Sequence, residues 1–153
     1  MFRQIVLCFL LAMPAYGMTG QVVTVVDGDT LKVATEEGIV TVRLYGIDTP
    51  EKKQEHGLDA KEVASNLVIG KDINFAPIET DLYKRTVAVV MYGDLCLQEQ
   101  MLISGYAWVY PQYCKESFCK AWKSLQKVSE SNKWGLWASE NPVEPWRWRK
   151  QQR

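Results

Sequence analysis

The chain has 153 residues, 18 Lys plus Arg against 18 Asp plus Glu, and 47% apolar residues. That length suits one domain with a core of its own, and the composition excludes a disordered or collagen-like chain. A formal net charge of +0 excludes a strongly basic protein built for tight, non-specific holding of nucleic acid, though an enzyme that releases its product has no need of such charge.

The N-terminus reads as a leader. Met1-Phe2-Arg3-Gln4 carries a positive charge, residues 5–13 are apolar, and Ala15-Tyr16-Gly17 places small residues where a signal peptidase reads. The apolar run is too short to span a bilayer. A buried N-terminal helix or strand is the competing reading. The expectation is a signal peptide over residues 1–17 and a folded domain over 18–153. The mature chain is then secreted or periplasmic, free of the membrane once cleaved. Cys8 leaves with the leader, and Cys96, Cys114 and Cys119 remain in a compartment that permits disulfides. Three single bridges are open to them; Cys114 and Cys119, five apart beside a predicted helix start, form the favoured pair. Zinc is disfavoured, since the spacing is no zinc signature and His56 is the one histidine.

In chain order, residues 21–26, 31–34 and 39–45 are apolar or alternating runs. Asp27-Gly28 and Glu37-Gly38 separate them, and Asp-Gly is a hairpin signal. Three antiparallel strands are expected there. Ala60, Val63, Ala64, Leu67 and Val68 share a helical face that Gly70 ends. Strands follow over 71–76 and 85–92. A second helix is predicted over 95–104, stopped by Gly105. In a third, Phe118, Ala121, Trp122, Leu125 and Val128 form the apolar stripe and the remaining positions a solvated face. The order argues for an α+β domain, and a five-stranded OB-type β-barrel with about three helices fits it.

Three segments carry chemistry. Asp27-Gly28-Asp29-Thr30 offers oxygen donors suited to a hard cation, though alone it is a turn. Arg43-Leu44-Tyr45-Gly46-Ile47-Asp48-Thr49-Pro50-Glu51 leaves a strand at a proline that stiffens the segment between Asp48 and Glu51. Asp81-Leu82-Tyr83-Lys84-Arg85 puts a cation beside an aromatic ring, a pairing suited to phosphate and base. His56 reads as a loop residue rather than a catalyst. The tail Trp146-Arg147-Trp148-Arg149-Lys150 alternates aromatic and basic residues; a nucleic-acid contact and a tail strapped down by its tryptophans are weighed evenly.

Together these segments resemble the staphylococcal nuclease (thermonuclease) family. The match runs through Val25-Val26-Asp27-Gly28-Asp29-Thr30-Leu31-Lys32, then Val42-Arg43-Leu44 to Asp48-Thr49-Pro50-Glu51, then Asp81-Leu82-Tyr83-Lys84-Arg85 with Ala88. Gly105-Tyr106-Ala107-Trp108-Val109-Tyr110 and Gly135-Leu136-Trp137 extend it over the mature chain. The resemblance implies a five-stranded OB-type barrel and one Ca²⁺. Asp29, Asp48 and the carbonyl of Thr49 would hold the ion, with Asp27 supporting them. Glu51 would be the general base, and Arg43 and Arg85 would grip the scissile phosphate. Tyr83 and Tyr110 would line the nucleotide site, with Tyr113 an alternative to Tyr110, and Lys84 would add charge there. Lys84 stands where the family usually has Gly, and the 52–57 loop is short. The implied activity is a Ca²⁺-dependent endonuclease acting on DNA and/or RNA, expected as a monomer, that expels the 5′ oxygen and leaves 3′-phosphates. The alternatives are a non-catalytic OB-type module that binds single-stranded nucleic acid and a structural or adhesion role with calcium as a staple.

Overall fold

A computed structural model describes residues 17–153; the predicted leader falls on residues 1–16, outside the described residues, and on Gly17. Among the described residues eight strands run in the order β1 Met18–Asp27, β2 Thr30–Thr35, β3 Gly38–Leu44, β4 Ile47–Asp48, β5 Asp72–Thr80, β6 Thr86–Tyr92, β7 Leu95–Cys96 and β8 Trp108–Val109, with four α-helices interleaved: α1 Gly57–Val68, α2 Leu97–Ile103, α3 Cys119–Ser131 and α4 Pro145–Gln151. A 3₁₀ turn covers Gly135–Ala138. No helix among the described residues is long and apolar enough to cross a membrane.

The three predicted N-terminal strands form an antiparallel meander, β1–β2–β3, and β1 also pairs β5, which pairs β6. The barrel closes where β6 returns alongside β3 in parallel, Val42 opposite Thr86, Arg43 opposite Val87 and Leu44 opposite Ala88. Five strands thus make a closed OB-like barrel with no open edge between β3 and β6. Alternation puts Val42 and Leu44 inside and Arg43 outside. Val22, Leu31, Val33, Ile73, Phe75, Ala88 and Val90 fill the interior with them.

The helices cap this barrel. Ala60, Ala64 and Val68 are the buried face of α1. In α2 the buried Gln98 accepts from Val90 N at 3.1 Å and donates to Ala88 O at 2.9 Å, pairing the β6 backbone from above. The predicted stripe of α3 is narrower than expected: Trp122 is buried and packs on Phe118 and Tyr45, whereas Ala121 and Val128 face solvent. Ser129, expected on the solvated face, is buried instead, because its hydroxyl donates to Leu102 O at 2.9 Å. Cys114 and Cys119 are bridged just before α3, with Cα atoms 5.8 Å apart, and Cys96 is a buried free thiol. The fourth helix, α4, lies in the tail, where periodicity alone predicts none.

Candidate active site

The tight turn between β1 and β2 delivers Asp27 and Asp29. Asp27 Oδ1 accepts the N–H of Asp29 at 3.1 Å, which shapes the turn. Gly28 is required by close approach: a Cβ there would lie 2.7 Å from Thr49 Oγ1 and 3.0 Å from Ala60 Cβ. That space lets the β4 exit press against the turn. Thr49 donates to Asp29 Oδ2 twice, from its amide at 2.8 Å and its hydroxyl at 2.9 Å.

Arg43 organises the cluster. Its Nη1 donates to Leu44 O at 2.8 Å and to Ile47 O at 3.0 Å, which folds the β3–β4 turn around the guanidinium. Its Nη2 donates to Asp48 Oδ1 at 3.0 Å, and Nε lies 3.3 Å from Asp29 Oδ1. Three of its five N–H groups are therefore hydrogen-bonded within the protein, Nε faces Asp29 as an ion pair, and the second Nη2 N–H has no hydrogen-bond partner among the described residues.

Glu51 follows Pro50 at the head of a tight segment. Gln54 N donates to Glu51 O at 2.8 Å, Gly57 N to Gln54 O at 3.0 Å, and Glu51 N to Gln54 Oε1 at 3.1 Å. Gly57 permits this turn, since a Cβ there would collide with the Glu51 carbonyl. Three hydrogen bonds thus close the short 52–57 loop back onto Glu51. His56 begins α1 with φ 64°, bonded to Asp59 at 3.0 Å and to Ser139 Oγ at 2.9 Å. It ties α1 to the C-terminal segment, a loop role as the residues suggest.

The electrostatics follow from crowding. Burial pushes Asp27 up to about 7, helped by the negative charge of Asp29. Burial likewise raises Asp48 to about 6, against the pull of Arg43 and Arg149. Burial would raise Asp29 as well, but the charge of Arg43 and the two Thr49 hydrogen bonds outweigh it and hold this carboxyl below its usual value. Crowded carboxyl oxygens that oppose one another's ionisation suit a hard cation. Among the described residues no three His, Cys, Asp or Glu side chains converge on one point. Asp29, Asp48 and the Thr49 carbonyl are all oxygen donors, a chemistry that suits a hard cation rather than a soft one.

The other predicted residues sit nearby or at the rim. Arg85, two residues before Val87, falls on the same outer face as Arg43, which opposes Val87. It is held by Asp81: Nε donates to Oδ2 at 2.7 Å, and the Arg85 and Tyr83 amides donate to Oδ1 at 3.0 and 2.9 Å. Those bonds hold Asp81 below the usual carboxylate range despite slight burial. Lys84 adopts φ 61°, the left-handed conformation for which the usual glycine is suited. Tyr83 is 79% exposed, with the Arg85 guanidinium 5.3 Å from its ring centre. Tyr110 reaches the site because β4 pairs β8, Asp48 opposite Trp108, and its amide donates to Gly46 O at 2.9 Å. Its ring contacts Tyr113 edge-on at 4.7 Å and stacks flat on Trp146 at 4.8 Å.

One further group enters from the far end of the chain. Arg149 Nη2 donates to Asp48 Oδ2 at 2.8 Å, and its Nη1 donates to Glu51 Oε1 at 2.7 Å and Asp48 Oδ1 at 3.2 Å.

The profile of the family described as staphylococcal nuclease homologue matches residues 41–139. The chain belongs to the staphylococcal nuclease homologue family. An uncharacterized endonuclease of Haemophilus influenzae is 38% identical over 136 residues, 88% of this chain and 75% of that protein. One from Escherichia coli O157:H7 is 37% identical over 131 residues, 85% and 84% of the two chains. A micrococcal nuclease of Shigella flexneri is 31% identical over 152 residues, 92% and 86%.

In this staphylococcal nuclease homologue Asp29, Arg43, Asp48 and Thr49 are assembled as one bonded group, with Asp27 shaping the turn beside it and Glu51 joined to it through Arg149. Arg85, Tyr83 and Lys84 form a separate unit ordered by Asp81. Sequence reasoning misses Arg149 as a site residue. The Trp-Arg alternation is visible, but nothing local says that the arginine reaches back to Asp48, 101 residues away. The tail proves to be strapped down, by Trp146 on Tyr110 and on Trp108 at 6.0 Å.

Proposed function

We propose that this protein is a secreted or periplasmic, Ca²⁺-dependent endonuclease that hydrolyses phosphodiester bonds of DNA and/or RNA. The observation that carries the reading is the convergence of Asp29, Arg43 and Asp48 in direct ion pairs, with Glu51 brought to Asp48 through the shared guanidinium of Arg149. The names of the relatives support it, as does the signal-peptide layout of the first residues.

Asp29, Asp48 and the Thr49 carbonyl would hold Ca²⁺, which when bound supplies Lewis-acid polarisation of a phosphoryl oxygen and a template for water. Arg43 favours the ionised form of Asp29 and Asp48 and aligns them, and the Nη2 N–H it does not spend on Asp48 would donate to a phosphate oxygen. Arg85 donates to the same phosphate from the neighbouring strand, stabilising charge that builds up in the transition state. Glu51 takes a proton from the attacking water, an effect of roughly 10²–10⁴-fold for a positioned base. The water oxygen bonds to phosphorus as the P–O5′ bond breaks in line, the departing 5′ oxygen takes a proton from solvent to become a 5′-hydroxyl, a 3′-phosphate remains, and Glu51 returns its proton to solvent. Tyr83 and Tyr110 offer faces on which bases stack.

The test is cleavage of single-stranded DNA and RNA by the mature chain in Ca²⁺ or EGTA, beside Glu51→Gln. Cutting that needs Ca²⁺ and is lost in the variant, with the fold and ion binding retained, is the expected result. A folded, Ca²⁺-bound wild type that binds strands without cutting them would replace the enzyme with the non-catalytic binding module.

A further inference from the structure

We propose that α4 is an internal latch on the site, with Arg149 standing where the cation sits and Trp146 standing where a base stacks. The proposal rests on the roles given above to Asp48, Glu51 and Tyr110. Trp146 and Arg149 are three apart and so share one face of α4. That face delivers a guanidinium to Asp48 and Glu51 and an indole to Tyr110 in a single placement.

Each contact excludes something the reaction needs. The Asp48 side chain is only 2% exposed, and a buried carboxylate requires a positive partner. Of its two oxygens, Oδ1 accepts from Arg43 as well as Arg149, whereas Oδ2 accepts from Arg149 alone. Arg149 is thus the positive group satisfying that oxygen, and a cation coordinated by Asp48 competes for it. Glu51 Oε1 bears a charge-assisted bond from the same guanidinium. That oxygen is therefore occupied, and an attacking water reaches it only when the arginine withdraws. The Tyr110 ring is covered by Trp146 at an interplanar angle of 5°, the geometry a stacked base would adopt.

The helix is built to lift. It spans seven residues, opens on Pro145, and buries only that residue. Arg147 and Lys150 face solvent. Short elements with few buried side chains open at low free energy. The ion and the strand together replace its contacts with Asp48, Glu51 and Tyr110, so their binding and release of the helix are one linked equilibrium.

The experiment uses the mature full chain as wild type, Arg149→Gln, Arg149→Lys and Trp146→Ala. Ca²⁺ affinity is read by calorimetry, and affinity for a phosphorothioate single-stranded oligonucleotide by anisotropy. Hydrogen exchange of the peptide covering residues 143–153 is followed through a Ca²⁺ titration. The latch predicts about tenfold tighter Ca²⁺ binding in Arg149→Gln and a smaller gain in Arg149→Lys, which keeps the charge but loses the fork. Trp146→Ala is expected to bind the oligonucleotide several-fold more tightly. In the wild type, exchange over 143–153 accelerates with the same midpoint as ion binding. Ca²⁺ binding within twofold of wild type in both Arg149 variants, or weaker binding in them, would overturn the latch alone; the weaker result would make Arg149 a phosphate-positioning group. No Ca²⁺ binding by any of the proteins would instead overturn the cation reading on which the latch stands.

Discussion

One oxygen of Asp29 accepts two hydrogen bonds from Thr49, from the amide at 2.8 Å and the hydroxyl at 2.9 Å. The pair joins the β1–β2 turn to the exit of β4, twenty residues apart in the chain. Both residues are buried, so the bonds act in a low-dielectric setting where they hold Asp29 ionised.

Thr49→Val removes the hydroxyl donor while keeping the shape of the side chain. Loss of one bond to a buried carboxylate is expected to cost about 1–2 kcal/mol of folding stability. It also raises the Asp29 carboxyl toward its ordinary value, so Ca²⁺ binding weakens. Urea unfolding and calorimetry measure the two effects; unchanged stability and affinity would show that the amide bond suffices.

Arg43→Lys tests whether Arg43 organises the site or only touches substrate. A lysine keeps the charge but cannot serve two carbonyls and two carboxylates from one plane. The variant is expected to lose about 2–4 kcal/mol, because buried carboxylates are left underpaired. A substrate-only residue would leave the urea midpoint where it is.

Lys84→Gly addresses the left-handed backbone at φ 61°. A residue with a Cβ is disfavoured there by about 1 kcal/mol. Glycine relieves that strain, and the thermal midpoint is expected to rise by a few degrees. A lower midpoint would mean that Lys84 makes a compensating interaction in the 81–85 loop.

The carboxyl cluster sets a pH dependence. Asp27 and Asp48 titrate near 7 and 6 in the fold, both above the 3.8 of an unfolded aspartate. Between about pH 4 and 7 the native state therefore holds protons that the unfolded state has released. In EGTA, stability is expected to fall as pH rises through this window. Asp29, held low, contributes in the opposite sense, and its share is lost only below about pH 4. Ca²⁺ binding needs the ionised carboxylates and is expected to weaken at least tenfold from pH 7.5 to 5.5. Chemical unfolding and calorimetry across that range check both signs; stability in EGTA that stays flat or rises from pH 4.5 to 7 would contradict the crowding argument.

Much of this was legible along the chain. Alternation in 39–45 placed Arg43 opposite in sense to Val42 and Leu44, and the Asp-Gly and Glu-Gly turns marked the first hairpins. Spacing is a local property, and strands and turns answer to local sterics and burial. The apolar stripe of α3 is wider in the sequence than in the fold, where Ala121 and Val128 face solvent because a helix buries only the face its neighbours reach. Ser129 was buried for the sake of a partner, Leu102 O, that lies on another helix.

By itself the sequence determined the strand order, the three segments that carry charge, and the stiffened link from Asp48 to Glu51. Closure of the barrel through β3 and β6, the pairing of β4 with β8 that sets Trp108 opposite Asp48 and Tyr110 against Gly46, and the return of Arg149 to Asp48 and Glu51 were decided only in three dimensions. The reason is that a buried carboxylate demands a positive partner wherever the fold can supply one, and the distance along the chain to that partner carries no signal in the residues between.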